Sequence, residues 1–213
     1  MGRTQPARTM WVWSAVPAMV AGGAGLWFWW RTHPSTRPFA QRAWIDAPHP
    51  FVTPRRVRHL LAPVAGERML ELGVGSGRYG LPLAPALGPH GLLTVVDLHR
   101  DMLELTMGRA REQRLHNVAA VRADGTALPL PTGVFDAAYA VSVLGQVPNP
   151  PSALVELRRV VRPGGRVVVG EFGYDPHGVY FRDLCRRAAD AGLDFDRRVG
   201  SVFGYVARFQ VSE

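Results

Sequence analysis

Between Met69 and Gly77 the sequence reads Met-Leu-Glu-Leu-Gly-Val-Gly-Ser-Gly, a carboxylate followed by three glycines at alternate positions. An apolar strand that ends in such a loop can turn tightly and admit a ligand close to its backbone, because glycine carries no Cβ. Twenty residues after Gly77 stands Asp97, at the end of a second apolar run, spaced to accept hydrogen bonds from ribose hydroxyls. The loop alone fits two ligands, since Gly75-Ser-Gly-Arg-Tyr-Gly80 also spells the dinucleotide fingerprint G-x-G-x-x-G. Three features separate the readings. Glu71 places a negative charge beside the loop, which would repel a pyrophosphate but suits a ligand carrying ammonium and sulfonium charges. Asp124, followed by Gly125, puts a second acid after the third apolar run, where an adenine amino group could be read. Arg162-Pro-Gly-Gly165 forms a turn before the fifth strand that nicotinamide-binding domains do not usually carry.

Alternating strands and helices must position these residues. The pattern predicts a lead-in helix over Pro54–Ala65, with proline in its first turn, and a strand over Arg68–Gly73. A helix over Gly77–Leu87 follows, although Pro82 and Pro85 fit a helix interior poorly. Then come a strand at Leu92–Asp97, an amphipathic helix at Arg100–Leu115, and strands at Val118–Ala123 and Phe135–Leu144. A helix at Pro151–Val161, a strand at Arg166–Phe172 and a helix at Gly178–Ala191 lead to two closing β segments, Phe195–Val199 and Phe203–Val211. This order predicts an α/β fold: a Rossmann-like, doubly wound, mostly parallel seven-stranded sheet with helices on both faces.

Four blocks now stand in order: Leu70-Glu-Leu-Gly-Val-Gly-Ser-Gly77, Val95-Val-Asp97, Ala123-Asp-Gly-Thr-Ala-Leu-Pro129 and Val160-Val-Arg-Pro-Gly-Gly165. In them the chain resembles the class I S-adenosylmethionine-dependent methyltransferases, and within these the branch of the ubiquinone/menaquinone C-methyltransferases. The resemblance runs from about residue 51 to the end. It implies S-adenosylmethionine as cofactor and an antiparallel last strand. It also implies that Glu71, Gly73, Gly75 and Gly77 frame the methionine part, that Asp97 holds the ribose, and that Leu98 packs the adenine. Asp124 and Gly125 would bind the adenine edge, and Ser142 would face the methionine end.

Two departures bear on the acceptor. Relatives often read His-Val-Pro-Asp-Pro after the fourth strand, whereas this chain has Gln146-Val-Pro-Asn-Pro150, so no histidine is available there as a base. Asn149-Pro-Pro151 is similar to the N-P-P-aromatic signature of base-flipping adenine methyltransferases, but Ser152 stands where the stacking aromatic would be. An ordinary helix start, with Pro151 at the first helical position, explains the string better. No nucleic-acid partner is expected, and no side chain is assigned as a catalytic base. Tyr174 and His177 follow the fifth strand, where this fold opens to substrate.

Charge divides the chain. Residues 1–66 hold eight arginines against one acid, Asp46, whereas residues 67–213 hold seventeen arginines against sixteen acids. The basic excess of a chain of net charge +8 therefore belongs to the N-terminal part. There, Trp11 to Trp30 is an uncharged run of 20 residues with tryptophans at both ends, enough to cross a hydrocarbon core of about 30 Å. A cleaved signal peptide is the main rival, but the most hydrophobic stretch, Leu26–Trp30, comes after the small residues. Residues 1–10 thus read as a short basic N-terminus, 11–30 as a transmembrane anchor, 31–50 as a Pro/Arg-rich juxtamembrane linker and 51–213 as the methyltransferase domain. Arg31, Arg37 and Arg42 outnumber Arg3 and Arg8, which favours a cytoplasmic domain in a single-pass membrane protein.

One cysteine, Cys185, excludes a disulfide framework, and the seven histidines show no metal-ligand spacing, so no metal is expected. The reading is a membrane-anchored methyltransferase acting on a small hydrophobic or membrane-dissolved acceptor: a quinone, lipid or thiol. The alternatives are a non-catalytic membrane-tethered binding module on the same fold and an NAD-dependent oxidoreductase.

Overall fold

The computed structural model describes residues 50–212. In chain order these form α1 (Pro54–Leu61), β1 (Arg68–Leu72), α2 (Ala84–Leu87), β2 (Leu92–Asp97), α3 (Arg100–Glu112), β3 (Val118–Arg122) and β4 (Phe135–Val141). After a 3-10 turn at Leu144–Gln146 come α4 (Pro150–Val160), β5 (Val161–Phe172), α5 (Phe181–Asp190), β6 (Leu193–Ser201) and β7 (Gly204–Val211). The anchor and linker expected at residues 11–30 and 31–50 lie outside the described residues, apart from Pro50. No helix among the described residues is long and apolar enough to cross a membrane.

All seven strands join one sheet in the order β3-β2-β1-β4-β5-β7-β6. The pairings from β3 to β5 are parallel, and β7 inserts antiparallel between β5 and β6. Side chains alternate between the two faces with the strand period of two. Ala137, Tyr139 and Val141 of β4 face a core shared with Val57, Leu60 and Leu61 of α1, Leu87 of α2 and Leu103 of α3. Ala138 and Ala140 face the opposite core, closed by Leu154 and Leu157 of α4 and Leu184 of α5. Both faces are covered, so the central strands read as unbroken apolar runs. The chain order reverses at β1, whose neighbours are β2 and β4; a crevice opens beyond the strand ends at this switch point.

The expected doubly wound sheet with its antiparallel last strand is found, with four local corrections. The long helix expected at Gly77–Leu87 does not form. Residues 78–83 make successive turns, and only Ala84–Leu87 is helical. Pro82 has no N–H to donate and Pro85 is accommodated only in the first turn of the short helix. The fourth strand stops at Val141 because Ser142 adopts φ 54°, outside any strand conformation.

The fifth strand begins at Val161, directly after α4, with the Pro163-Gly-Gly165 turn inside it as a bulge. Register jumps there from Phe135↔Val161 to Ala137↔Arg166. Gly165 is required in that bulge: a Cβ would meet the Val161 side chain and the Arg162 and Asp136 carbonyl oxygens. Finally, α4 starts one residue early, with Pro150 first and Asn149 as its cap. The Asn149 side-chain oxygen accepts the Ser152 N–H at 3.3 Å. Asn149 is thus engaged in a helix-starting turn.

Candidate functional site

A cleft of about 200 Å³ lies at the switch point, over the C-terminal ends of β1, β2 and β4. Gly73, Gly75, Asp97, Leu98, Asp124, Gly125 and Ser142 all line it, although the sequence separates them by up to 69 positions. Gly73 (φ 71°) and Gly75 (φ 54°) take left-handed backbone conformations that L side chains rarely adopt. At Gly73 a Cβ would also strike the Val143 side chain.

Asp97 latches the loop. Its carboxylate accepts the Gly75 N–H at 3.1 Å and the His99 N–H at 2.9 Å. A carboxylate offers about four lone-pair sites, so two bonds leave capacity for a pair of ribose hydroxyls. Burial raises the Asp97 carboxyl above its ordinary range, and the backbone N–H groups of His99 and Gly75 pull it back. Leu98, 44% exposed, presents an apolar surface on the cleft rim. Asp124 is held by its own turn, Oδ1 accepting the Thr126 N–H and hydroxyl, both at 2.9 Å. Backbone free of Cβ atoms at Gly73 and Gly75, an ionisable acceptor at Asp97 and an apolar rim at Leu98 together fit an adenosine carrying a charged amino-acid tail.

Ser142 closes the far end. Its N–H bonds the Gly170 carbonyl at 2.8 Å, and its carbonyl accepts from Gln146 Nε2 at 2.7 Å. Its hydroxyl meets Asp175 Oδ2 at 3.1 Å. Asp175, buried in the turn after β5, also accepts the His177 N–H at 3.0 Å. His177 lines a neighbouring hollow of about 230 Å³ that shares Val147 and Pro148 with the cleft. Tyr174 stands half-exposed with its ring 5.5 Å from that of Phe172 in the cleft wall.

Two residues expected in the site do not line the cleft. Gly77 does not line the cleft; a Cβ there would press on Leu81 at 2.9 Å and Thr106 at 3.0 Å, so its role is to let the turn pack against α3. Glu71 is buried on the face of β1 that packs the α1–α3 core, under Gly80, whose Cβ would strike its carboxylate. The Tyr139 hydroxyl lies beside it, off the geometry of a full hydrogen bond. Burial is the largest influence and pushes the Glu71 carboxyl well above the carboxylate range; the Tyr139 hydroxyl opposes this and the Asp97 charge adds to it.

The pKa shift at Glu71 gives a stability prediction. Because the folded pKa lies above the ordinary value of 4.5, the native state holds the proton more tightly. The wild type should therefore lose stability as pH rises through the folded pKa. Glu71→Gln, neutral and of the same shape, should flatten that loss in denaturant titrations run from acid to alkaline pH. Its affinity for S-adenosylmethionine should stay within about twofold, as for a site without direct contact. A large loss of affinity would put the Glu71 charge on the ligand after all.

Sequence reading missed the support behind the loop. Thr106 donates its hydroxyl to the Gly75 carbonyl at 3.0 Å and Arg109 Nη1 donates to the Ser76 carbonyl at 2.9 Å, while Met102 lines the cleft. Met102, Thr106 and Arg109 follow the i, i+4, i+7 spacing of one helix face, which was the signal available. Arg78, Tyr79, Val143, Gln146 and Phe172, also in the wall, carried no such signal.

Comparison with known proteins agrees with this geometry. The family described as a methyltransferase domain matches residues 70–169. A demethylmenaquinone methyltransferase of Clavibacter sepedonicus is 42% identical over 116 residues, covering 54% of this chain and 45% of that protein. An uncharacterized 37.1 kDa protein in transposon TN4556 of Streptomyces fradiae is 40% identical over 119 residues, 56% of this chain and 34% of that one. The chain therefore spans less than half the length of these two curated relatives. A solved SAM-dependent methyltransferase from Aquifex aeolicus superposes with a TM-score of 0.75 over 83% of this chain and 100% of that chain, at 20% identity, which speaks for the fold.

Proposed function

We propose that this chain, which carries a class I S-adenosylmethionine-dependent methyltransferase domain similar to the ubiquinone/menaquinone C-methyltransferases, methylates a small hydrophobic acceptor dissolved in a membrane. The observation that carries the reading is the cleft itself. Its inner wall offers Gly73, Gly75, Asp97 and Asp124 to the cofactor, and its outer wall is the apolar group Val143, Val147, Pro148 and Phe172. Residues 11–30 are proposed as the anchor, with the domain on the cytoplasmic side, where S-adenosylmethionine is made.

When bound, S-adenosylmethionine supplies a sulfonium methyl that leaves by in-line displacement. The chain's part is to orient and to exclude water. Asp97 accepts the ribose hydroxyls, Leu98 and Met102 cover the adenine, and the Asp124–Gly125 turn meets its edge. Ser142, fixed by Gly170, Gln146 and Asp175, bounds the methionine end. Holding methyl and acceptor at contact distance provides much of the rate in such reactions.

Quinones are the acceptor class suggested by the demethylmenaquinone methyltransferase relative; lipids and hydrophobic thiols share the required apolarity. Membranes from cells producing the protein, incubated with methyl-labelled S-adenosylmethionine, should yield a labelled product in the organic extract. Membranes carrying Asp97→Ala should not. An extract with no label above that variant sinks the proposed reaction.

A further inference from the structure

The cleft mouth is bordered by an apolar patch that stays largely open to solvent. Val202 and Phe203, at the tip of the β6–β7 hairpin, are 83% and 60% exposed, and Tyr174 is 49% exposed. Chain topology puts them together. Phe172, the last residue of β5, pairs with Gly204, so the hairpin tip lies at the same sheet edge as the cleft. The Gly173 N–H bonds the Phe203 carbonyl at 3.1 Å. The Phe203 ring lies 5.6 Å from that of Phe51, and the carbonyl of the next residue, Val52, accepts the Tyr79 hydroxyl at 3.1 Å. Tyr79 and Phe172 are themselves cleft wall. The patch is thus continuous with the cleft, from solvent inward.

We propose that Tyr174, Val202 and Phe203 form a collar that rests in the interfacial layer of a lipid bilayer and opens the cleft toward acceptors dissolved there. This rests on the functional reading above and adds the surface by which the acceptor enters. Three observations select a bilayer as occupant. Exposed apolar residues of this size at a hairpin tip suit partial insertion, not burial in a groove. No acid occurs between Pro50 and Gly66 or between Arg197 and Ser212, and Glu171 and Asp175, beside Tyr174, are buried, whereas Arg55, Arg56 and Arg58 begin α1 just after Phe51; anionic headgroups would meet cations and no exposed acid of these segments. The preceding chain enters the domain at Pro50, beside Phe51 and hence beside the collar, and that chain carries the uncharged run Trp11–Trp30.

The test uses the full chain with Cys185→Ser and a single new cysteine, either Val202→Cys or Glu112→Cys. Glu112 is exposed at the end of α3, which runs back from the cleft edge to the opposite side of the sheet. Each is labelled with an environment-sensitive fluorophore and added to vesicles of phosphatidylcholine and phosphatidylglycerol bearing a lipid-borne quencher. The label at 202 should shift to the blue and be quenched several-fold more than the label at 112. A second variant, Val202→Asp with Phe203→Asp, should raise KM for an acceptor presented in vesicles about tenfold or more through lost apolar burial, with S-adenosylmethionine affinity unchanged.

Equal quenching at 202 and 112 overturns the collar. So does shielding of 202 without lipid that grows with protein concentration, which marks self-association. Calorimetry on the same protein separates the two ideas: absent cofactor binding defeats the methyltransferase reading, whereas the quenching contrast judges the collar by itself.

Discussion

Asp97→Ala is expected to weaken S-adenosylmethionine binding about a hundredfold, the loss of two charge-assisted hydrogen bonds to ribose at roughly 1–3 kcal/mol overall. The same change frees the Gly75 and His99 N–H groups that the carboxylate now holds, so the loop loses its latch as well as its ligand contact. Asp97→Asn separates these effects. It keeps an acceptor for the loop and removes the charge, and should fall between wild type and alanine.

The pH dependence carries the sign. Burial holds the Asp97 carboxyl above its ordinary 3.8, and the ionised form is the better acceptor for ribose. Wild-type affinity should therefore fall as pH is lowered through that raised pKa, whereas the Asn variant should titrate flat over the same range. Isothermal calorimetry across mildly acid pH reads both, and parallel curves for the two proteins would remove Asp97 from the cofactor contact.

Arg166→Met should cost about 3–5 kcal/mol of folding free energy, a large part of the 5–15 kcal/mol that holds a domain together. Arg166 is buried at the foot of β5 and forms a two-toothed pair with Glu67, Nη1 to Oε1 at 2.8 Å and Nη2 to Oε2 at 2.7 Å. It also donates to the Leu61 and Ala62 carbonyls, which α1 leaves without intrahelical partners at its C-terminus. Methionine fills the volume but leaves a largely buried carboxylate with only the Val64 N–H as partner, at 2.8 Å, and takes a donor from two carbonyls. Denaturant unfolding measures the loss. Glu67→Gln, which retains an acceptor and no charge, should cost distinctly less. A loss under about 1 kcal/mol for Arg166→Met would show that water replaces the pair freely. Cofactor affinity measured well below the unfolding transition should change little, since Arg166 lies at the opposite sheet edge from the cleft.

Much of this protein was legible in the sequence because its signals are local. Apolar runs of strand length fixed the sheet, Asp97 fell at the end of its strand, and the four glycine- and acid-bearing blocks pointed to one cofactor. Seven of the nine site residues that the resemblance implied line a single cleft.

Failures had equally physical causes. Pro82 and Pro85 were visible misfits, yet only the folded chain showed that the helix is replaced by turns. Glu71 was read as facing the ligand because it precedes the glycines. Strand alternation instead buries it beside Tyr139, which is 68 residues further along the chain, and it does not line the cleft.

The sequence by itself determined the fold class and the cofactor, since both rest on residue types at short, fixed spacings. Tertiary structure alone decided which face each side chain takes and which distant groups meet: Arg166 with Glu67, Ser142 with Asp175, and Phe203 with Phe51 beside the cleft. Such pairs depend on strand order and register, and no local pattern encodes a contact between residues a hundred positions apart.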